Sequence, residues 1–337
     1  MLGRPMIEAR RQQAAVKDLA VQRGTVRYDS RWASRLPRWL RGIVGDDFWN
    51  PVVEIDLRGR GVNDGNLRYL NDLPHLVRVD LAKNRCGDQT VSYLRGCRQL
   101  TYLSLADTQI TDASLAMLQH FSNLQTLDLS STSVTDVGLI RLGKLAALES
   151  LCVARCNMGD ASASTIAKLT GLHTLDVAAT RLTDEGVATF ASLTRLQFLD
   201  ISSTGATDKC LPVLERMPHL QELGLAYLKL GPVELPLLAK LKKLQKLDLS
   251  GTRISNKSLN SLRHLPSLRE LALAHNRIDD GSMEVFRSLA GLRTLDLFNT
   301  KVTSRAESSL RRALPGLNVR FVYWASGDRA RPGGVRR

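Results

Sequence analysis

Leucine recurs at one fixed interval through most of this sequence, and that interval constrains the fold more than any other feature. Ten leucines are spaced 24 residues apart with no insertion between them: Leu76, Leu100, Leu124, Leu148, Leu172, Leu196, Leu220, Leu244, Leu268 and Leu292. A constant period of this length is typical of a solenoid, in which each repeat packs only on its neighbours. Although 337 residues would otherwise favour two domains or more, the unbroken period predicts one continuous repeat domain.

One repeat, residues 124–148, shows what each unit contains. Its Leu-x-x-Leu-x-Leu motif is a strand that turns Leu127 and Leu129 into the core. Thr135 and Asp136 then begin a short helix, as the N-cap and as an acid in the first turn. Twelve such strands follow from the pattern. The predicted fold class is α/β: a right-handed leucine-rich repeat solenoid (horseshoe), with a parallel sheet on the concave face and short helices on the convex face.

Three segments are predicted along the chain. Residues 51–324 form the solenoid, with about eleven 24-residue units. Residues 1–50 form an N-terminal cap, since a solenoid exposes an apolar end that must be covered. This cap contains an amphipathic helix over 6–23, a strand at 26–28 and three of the four tryptophans. Residues 325–337 are rich in Gly, Pro and Arg and predict a disordered basic tail.

The net charge of +14 is concentrated at the two ends of the chain. Residues 1–48 contain ten basic and five acidic residues, and residues 301–337 contain nine and two. The 252 residues between them contain 28 and 26, which argues against a basic nucleic-acid groove along the repeats. No apolar run long enough for a membrane span and no signal peptide are found, so we expect a cytoplasmic protein.

A second column of residues follows the strands and predicts a structural role. Its members lie three residues after the second strand leucine: Asn84, Thr108, Thr132, Thr180, Thr204, Thr252, Asn276 and Thr300. A buried polar side chain here must bond backbone groups that neither sheet nor helix satisfies. Cys156 takes the same place and Leu228 breaks it. Strand alternation turns Cys152 outward, so we expect a free thiol there.

The repeat resembles a known family. Its unit LxxLxLxxTxxTDxGLxxLxxL, preceded by RRQQAAVKDLAVQRGTVRYD and WLRGIVGDDFW, is similar to the bacterial leucine-rich repeat proteins abundant in planctomycetes, over residues 8–323. The resemblance implies a right-handed solenoid without a catalytic centre. The repeats are also similar to those of ribonuclease-inhibitor-like proteins and of F-box substrate receptors, although the latter usually have a 26-residue unit with Cys where this chain has Thr.

Seven aspartates occupy the outward position between the strand leucines: Asp56, Asp80, Asp128, Asp176, Asp200, Asp248 and Asp296. Neighbouring strands bring Asp176 beside Asp200, and such like charges repel and raise a pKa. Two interpretations remain open. Each Asp accepts hydrogen bonds from a nearby Ser or Thr, as Asp128 and Ser130 suggest, or the column is an acidic stripe that receives Lys/Arg groups of a partner or a divalent cation.

Larger outward side chains appear from the seventh repeat strand onward, near an irregular unit at residues 220–244. Aromatic and charged side chains of this kind form interface hot spots. The predicted partner-binding patch comprises Asp128, Asp176, Asp200, Asp248 and Asp296 of the acidic column together with Phe198, Tyr227, Lys246, His275 and Phe298.

The sequence contains no nucleophile–base pair, clustered metal ligands or glycine-rich phosphate loop, so we predict no enzyme, no cofactor and no metal. The leading hypothesis is a non-enzymatic protein–protein interaction scaffold whose unidentified partner, with a basic surface, binds the concave face. The alternative is a substrate-recognition subunit of an F-box type ubiquitin-ligase complex, which needs an F-box at residues 30–50. A third hypothesis is RNA or acidic-surface binding through the basic ends.

Overall fold

Each 24-residue repeat folds as a three-residue strand and a short return helix in the computed structural model. The structure describes residues 3–30, 50–230 and 235–320. The chain divides into two compact units, residues 1–220 and residues 221–337. The predicted fold class is confirmed, and all twelve predicted repeat strands are present within the described residues.

The first unit contains eight strands in chain order: β1 Thr25–Tyr28, β2 Val52–Asp56, β3 Arg78–Asp80, β4 Tyr102–Ser104, β5 Thr126–Asp128, β6 Ser150–Cys152, β7 Thr174–Asp176 and β8 Phe198–Asp200. Strand β1 pairs antiparallel with β2, and the later neighbours pair in parallel. The second unit contains five parallel strands: β9 Glu222–Gly224, β10 Lys246–Asp248, β11 Glu270–Ala272, β12 Thr294–Asp296 and β13 Asn318–Arg320.

The register follows directly from the repeat length. Each residue of a repeat strand pairs with the residue 24 positions away, as Leu127 does with Leu103 and with Leu151. One side-chain type therefore continues along a column through each unit. The leucine columns are buried, and Leu151 has no exposed surface. Burial of these stacked leucines is the main source of stability in each unit.

Short α-helices and 3-10 helices return the chain from one strand to the next. The α-helices are Asp88–Tyr93, Asp112–Leu118, Asp136–Leu139, Asp160–Ile166, Asp184–Thr189 and Leu211–Leu214 in the first unit, and Asn256–Leu259, Met283–Ser288 and Ser304–Ala313 in the second. The 3-10 helices are Asp64–Asp72, Leu94–Gly96, Ile140–Lys144, Phe190–Ser192 and Asp208–Cys210, followed by Leu235–Lys240, Asn260–His264 and Asp280–Ser282. The predicted short helices are thus confirmed, although many are a single turn.

The first-turn acids of these helices also link neighbouring repeats. Thr135 caps its helix as predicted, because its side chain accepts from the Val137 N–H. The carboxylate of Asp112, one repeat earlier, accepts from the Thr135 N–H at 2.8 Å and from its hydroxyl at 2.6 Å. The same Asp-to-Thr link recurs at Asp160 and Thr183. Each acid therefore joins two repeats, a role that the sequence analysis did not assign.

The threonine and asparagine column has the predicted structural role. The hydroxyl of Thr132 donates to the Leu129 carbonyl at 2.6 Å, and Thr252 makes the same bond to Leu249. Asn276 does more, since its amide donates to the carbonyls of Leu249, Leu273 and Ala274. These carbonyls lie where the chain leaves the strand, and the column satisfies them inside the core.

The described part of the N-terminal segment begins with the helix α1, Gly3–Val21, where the sequence predicted residues 6–23. Its Leu19 side chain is buried, and the amide of Gln12 bonds Asn50 and Val52, next to β2. The tryptophan-containing part of the proposed cap lies outside the described residues. The same is true of the proposed basic tail and of most of the segment that an F-box would need.

Candidate partner-binding surface

Three of the predicted partner-binding residues come together on the sheet face of residues 221–320. The rings of Tyr227 and His275 have centroids 6.4 Å apart, although 48 positions separate them in the sequence. The rings of His275 and Phe298 meet edge to face with centroids 5.2 Å apart. We call Tyr227, His275 and Phe298 the aromatic cluster. Its residues follow β9, β11 and β12, where the chain leaves each of these strands.

A left-handed backbone position presents two of these rings. Tyr227 has a φ of 61° and His275 a φ of 58°. The same conformation recurs every 24 residues at Lys83, Asp107, Ser131, Arg155, Ala179, Ser203 and Asn299, with glycine at Gly59 and Gly251. Non-glycine residues rarely adopt it because Cβ approaches the carbonyl oxygen. The turn therefore directs one side chain per repeat to the rim of the sheet face.

Gly251 occupies this position between Tyr227 and His275, and the Tyr227 ring lies over it. A Cβ placed on Gly251 would be 2.5 Å from Cδ1 of Tyr227, closer than van der Waals contact allows. Because Gly251 has no side chain, the Tyr227 ring can extend across this repeat toward His275. Tyr227 nevertheless remains 58% exposed. The ring lies against Gly251 yet presents most of its surface to solvent.

Replacement of Gly251 with alanine is expected to lower the free energy of unfolding by about 1–2 kcal/mol, through backbone strain and displacement of the Tyr227 ring. In a Tyr227→Ala background the cost should fall by about 0.5 kcal/mol or more, because only the strain remains. Urea denaturation of the four proteins of this double-mutant cycle measures both values. Equal costs in the two backgrounds would show that the ring does not depend on Gly251.

Two residues that the sequence analysis missed complete the cluster. The side-chain amide of Asn299 lies 2.9 Å from Nδ1 of His275. The guanidinium of Arg320 lies 5.4 Å from the centre of the Phe298 ring and 3.4 Å from the Asp296 carboxylate. Arg320 occupies the column that holds aspartate in other repeats. This change from a negative to a positive side chain was the sequence signal that could have identified Arg320. The missed residues extend the aromatic cluster to β13.

Lys246 lies on the same face but has partners of its own. Its ammonium group is 3.3 Å from the carboxylate of Glu222 and 3.8 Å from that of Glu270, on the strands to either side. These side chains are about half exposed, so the pairs are weak individually. Together they place the positive charge of Lys246 between the negative charges of Glu222 and Glu270, in a row beside the aromatic cluster.

The acidic column is a series of local turns. Each predicted aspartate accepts the N–H two residues later: Asp128 from Ser130, Asp176 from Ala178, Asp200 from Ser202, Asp248 from Ser250 and Asp296 from Phe298. In the first of these pairs the serine hydroxyl also donates to the carboxylate, at 2.7 Å. The expected bonding to neighbouring residues is therefore present, but the backbone is its main donor.

In the first unit these turns bring two acids and one thiol together on β6, β7 and β8. Burial raises the pKa of Asp176, and Asp200 on the next strand raises it further, as the sequence predicted for this pair. The hydrogen bond from the Ala178 N–H lowers this pKa and opposes both effects. The Cys152 thiol donates to Asp176 at 3.5 Å. Burial and this carboxylate raise the pKa of Cys152, so its reactive thiolate form is disfavoured.

Phe198 belongs to the first unit, where it begins β8 and pairs with Thr174. It is partly exposed on the sheet face, as predicted. Cys152 is partly exposed and Cys156 is buried, which confirms the expected alternation, and both are free thiols. In the part of the chain that the structure describes, no three His, Cys, Asp or Glu residues are grouped to hold a metal ion.

Comparison with known structures identifies the architecture. An internalin (inlF) from Listeria monocytogenes is 22% identical, with a TM-score of 0.58 over 88% of this chain and 95% of that one. A leucine-rich repeat protein from Leptospira interrogans is 18% identical, with a TM-score of 0.53 over 75% and 74%. The ectodomain of the Arabidopsis receptor kinase HAESA, in complex with a peptide hormone ligand, is 19% identical, with a TM-score of 0.61 over 88% and 50%.

Identity this low shows a shared fold and nothing finer. No curated protein sequence matches the chain. Among the helices that the structure describes, none combines the length and apolar character of a bilayer span. The family model described as a leucine-rich repeat region matches residues 75–311, which is more than half of the sequence. This chain therefore belongs to the leucine-rich repeat region family.

Proposed function

We propose that this chain is a non-enzymatic, cytoplasmic scaffold that binds a protein partner on the sheet face of residues 221–320. Leucine-rich repeat proteins generally mediate protein–protein interaction, and the fold is typically a binding scaffold without catalysis. The related HAESA ectodomain binds a peptide hormone. These facts favour binding as the class of activity, and the exposed side chains of residues 221–320 support the proposed location.

The observation that carries the proposal is the exposed aromatic cluster. Tyr227 is 58% exposed while its ring lies over Gly251 and beside His275. Aromatic side chains fixed before binding lose little conformational entropy when a partner covers them. They also bury a large area per residue, which makes them frequent hot spots. Tyr227 and Phe298 are accordingly proposed as the two main anchors.

Alanine at both Tyr227 and Phe298 is expected to weaken binding of the partner at least 10-fold, or about 1.4 kcal/mol. The measurement is quantitative pull-down from native lysate with wild-type and variant chains, followed by titration of each recovered protein. Tyr102→Ala is the matched control, because Tyr102 also lies on a sheet face but belongs to the first unit, beneath Arg78. This control should leave recovery unchanged.

Circular dichroism must first show that the double variant remains folded. Unchanged recovery with a folded double variant would move binding away from the aromatic cluster. Loss of the same partners in Tyr102→Ala alone would place the interface on the first unit, where Asp176 and Asp200 lie. Either result contradicts the proposed location.

A further inference from the structure

Asp248 lies between small residues near the aromatic cluster, on a strip of Gly224, Asp248 and Ala272 that we call the trough. Its strand neighbours in register are Gly224 on β9 and Ala272 on β11. Neither has a side chain beyond a methyl group, so no long side chain flanks the carboxylate at these two positions. Ala226 and Ala274, in the next column along the strands, are buried and equally small. The trough therefore presents one charged side chain among small ones.

The carboxylate of Asp248 has no cation partner in the described part of the chain. Its Oδ1 accepts the Ser250 N–H at 2.8 Å, and no Lys, Arg or His nitrogen there lies within 4.0 Å of it. Asp296 differs, since Arg320 pairs with it at 3.4 Å. The nearby Lys246 is already shared between two glutamates. The Asp248 carboxylate is thus a charge of the trough that no cation neutralises within the described residues.

The outward side chains of this face carry a net negative charge. The outward columns of β9 to β13 contain four carboxylates and two cations: Glu222, Asp248, Glu270 and Asp296 against Lys246 and Arg320. The surplus is negative although the whole chain is strongly positive. A positively charged group would gain Coulomb energy here, whereas an anion would meet unpaired carboxylate charge.

The Tyr227 ring lies within reach of the same ligand group. It covers Gly251, three residues after Asp248, which is at most about 10 Å along an extended backbone. The hydrocarbon part of a Lys or Arg side chain spans much of that distance and packs well on an aromatic ring. A divalent cation fits less well, because it requires several oxygen ligands and the trough supplies one carboxylate.

We infer that this trough receives a lysine or arginine side chain from a basic, extended segment of the partner, with Asp248 as the ion-pair acceptor and Tyr227 as the packing surface. The inference rests on the proposed function and specifies its partner chemistry. It distinguishes Asp248 from Asp128, which makes the same turn but is flanked by the side chains of Ser104 and Cys152.

The test uses the full chain and a fluorescent arginine decapeptide, with a citrulline decapeptide as the uncharged probe of equal shape. Fluorescence anisotropy at 50 and 150 mM salt measures affinity. Asp248→Asn should weaken binding of the arginine peptide at least 5-fold, because the amide keeps the turn to Ser250 but removes the charge. Asp128→Asn, the matched control, should change it less than 2-fold. The citrulline peptide should bind at least 10-fold more weakly than the arginine peptide.

Equal binding of the two decapeptides, or equal effects of Asp248→Asn and Asp128→Asn, would overturn the inference. So would a gain of more than 5-fold on deleting residues 327–337, since the chain's own basic end would then occupy the trough. The proposed function fails separately. If Asp248→Asn has no effect while the Tyr227 and Phe298 double variant still loses its partners, the interface stands and only its preference for a cation is wrong.

Discussion

Replacement of Leu151 with alanine is expected to lower the free energy of unfolding by about 3–5 kcal/mol. Leu151 is the central residue of β6 and has no exposed surface. Its register partners are Leu127 and Leu175, so truncation opens a cavity in a column with leucine on both sides. Urea denaturation followed by circular dichroism measures the loss.

Val137→Ala is the control for Leu151→Ala. Val137 lies in the helix Asp136–Leu139 and is 68% exposed, so its truncation removes little buried surface. We expect a change within about 0.5 kcal/mol. A Leu151→Ala loss of the same size as the Val137→Ala loss would show that the leucine column does not provide the stability of the first unit.

Replacement of Asn276 with alanine is expected to cost about 2–4 kcal/mol, because it leaves several buried groups without a partner. The amide of Asn276 donates to the carbonyls of Leu249, Leu273 and Ala274 at 2.7, 3.0 and 3.3 Å. Its oxygen accepts from the Ile254 N–H at 3.2 Å. The side chain is buried, so water does not readily replace these bonds. The midpoint of thermal or urea unfolding reports the change.

Asn276→Thr separates the hydrogen bonds from the packing. Threonine is the usual residue of this column and makes one bond to the carbonyl three residues earlier, as Thr252 does at 2.6 Å. The variant should therefore keep the bond to Leu273 and lose those to the neighbouring repeat. We expect about half the cost of Asn276→Ala. Equal costs for the two variants would indicate that the bonds across repeats contribute little.

The sequence alone predicted the architecture because a repeat solenoid repeats its interactions at the same interval as its residues. The 24-residue period determined the strand register, the buried leucines and the column of Thr132 and its equivalents. It also predicted Thr135 as a helix cap. Each of these features depends on residues within one repeat and on the equivalent positions in its neighbours. Such contacts can be inferred from a period.

The links between first-turn acids and the next repeat were within reach of the same reasoning but were not predicted. Asp112 bonds Thr135, 23 residues away rather than 24. Because this bond joins different positions of successive repeats, the columns of equal positions do not show it. The offset arises because the acid at the first helical turn points toward the N-cap of the next unit.

The sequence named Tyr227, His275 and Phe298 as candidates where the repeats depart from their period, but only the tertiary structure showed that these side chains lie together. Tyr227 and His275 belong to repeats that are not adjacent, and their rings approach because Gly251 between them has no side chain. The same geometry assigns Lys246 to Glu222 and Glu270 and leaves Asp248 unpaired in the described residues. Side-chain direction and the pairing of charges are set by three-dimensional neighbours. A one-dimensional pattern contains the residue types but not which of them remain available to a partner.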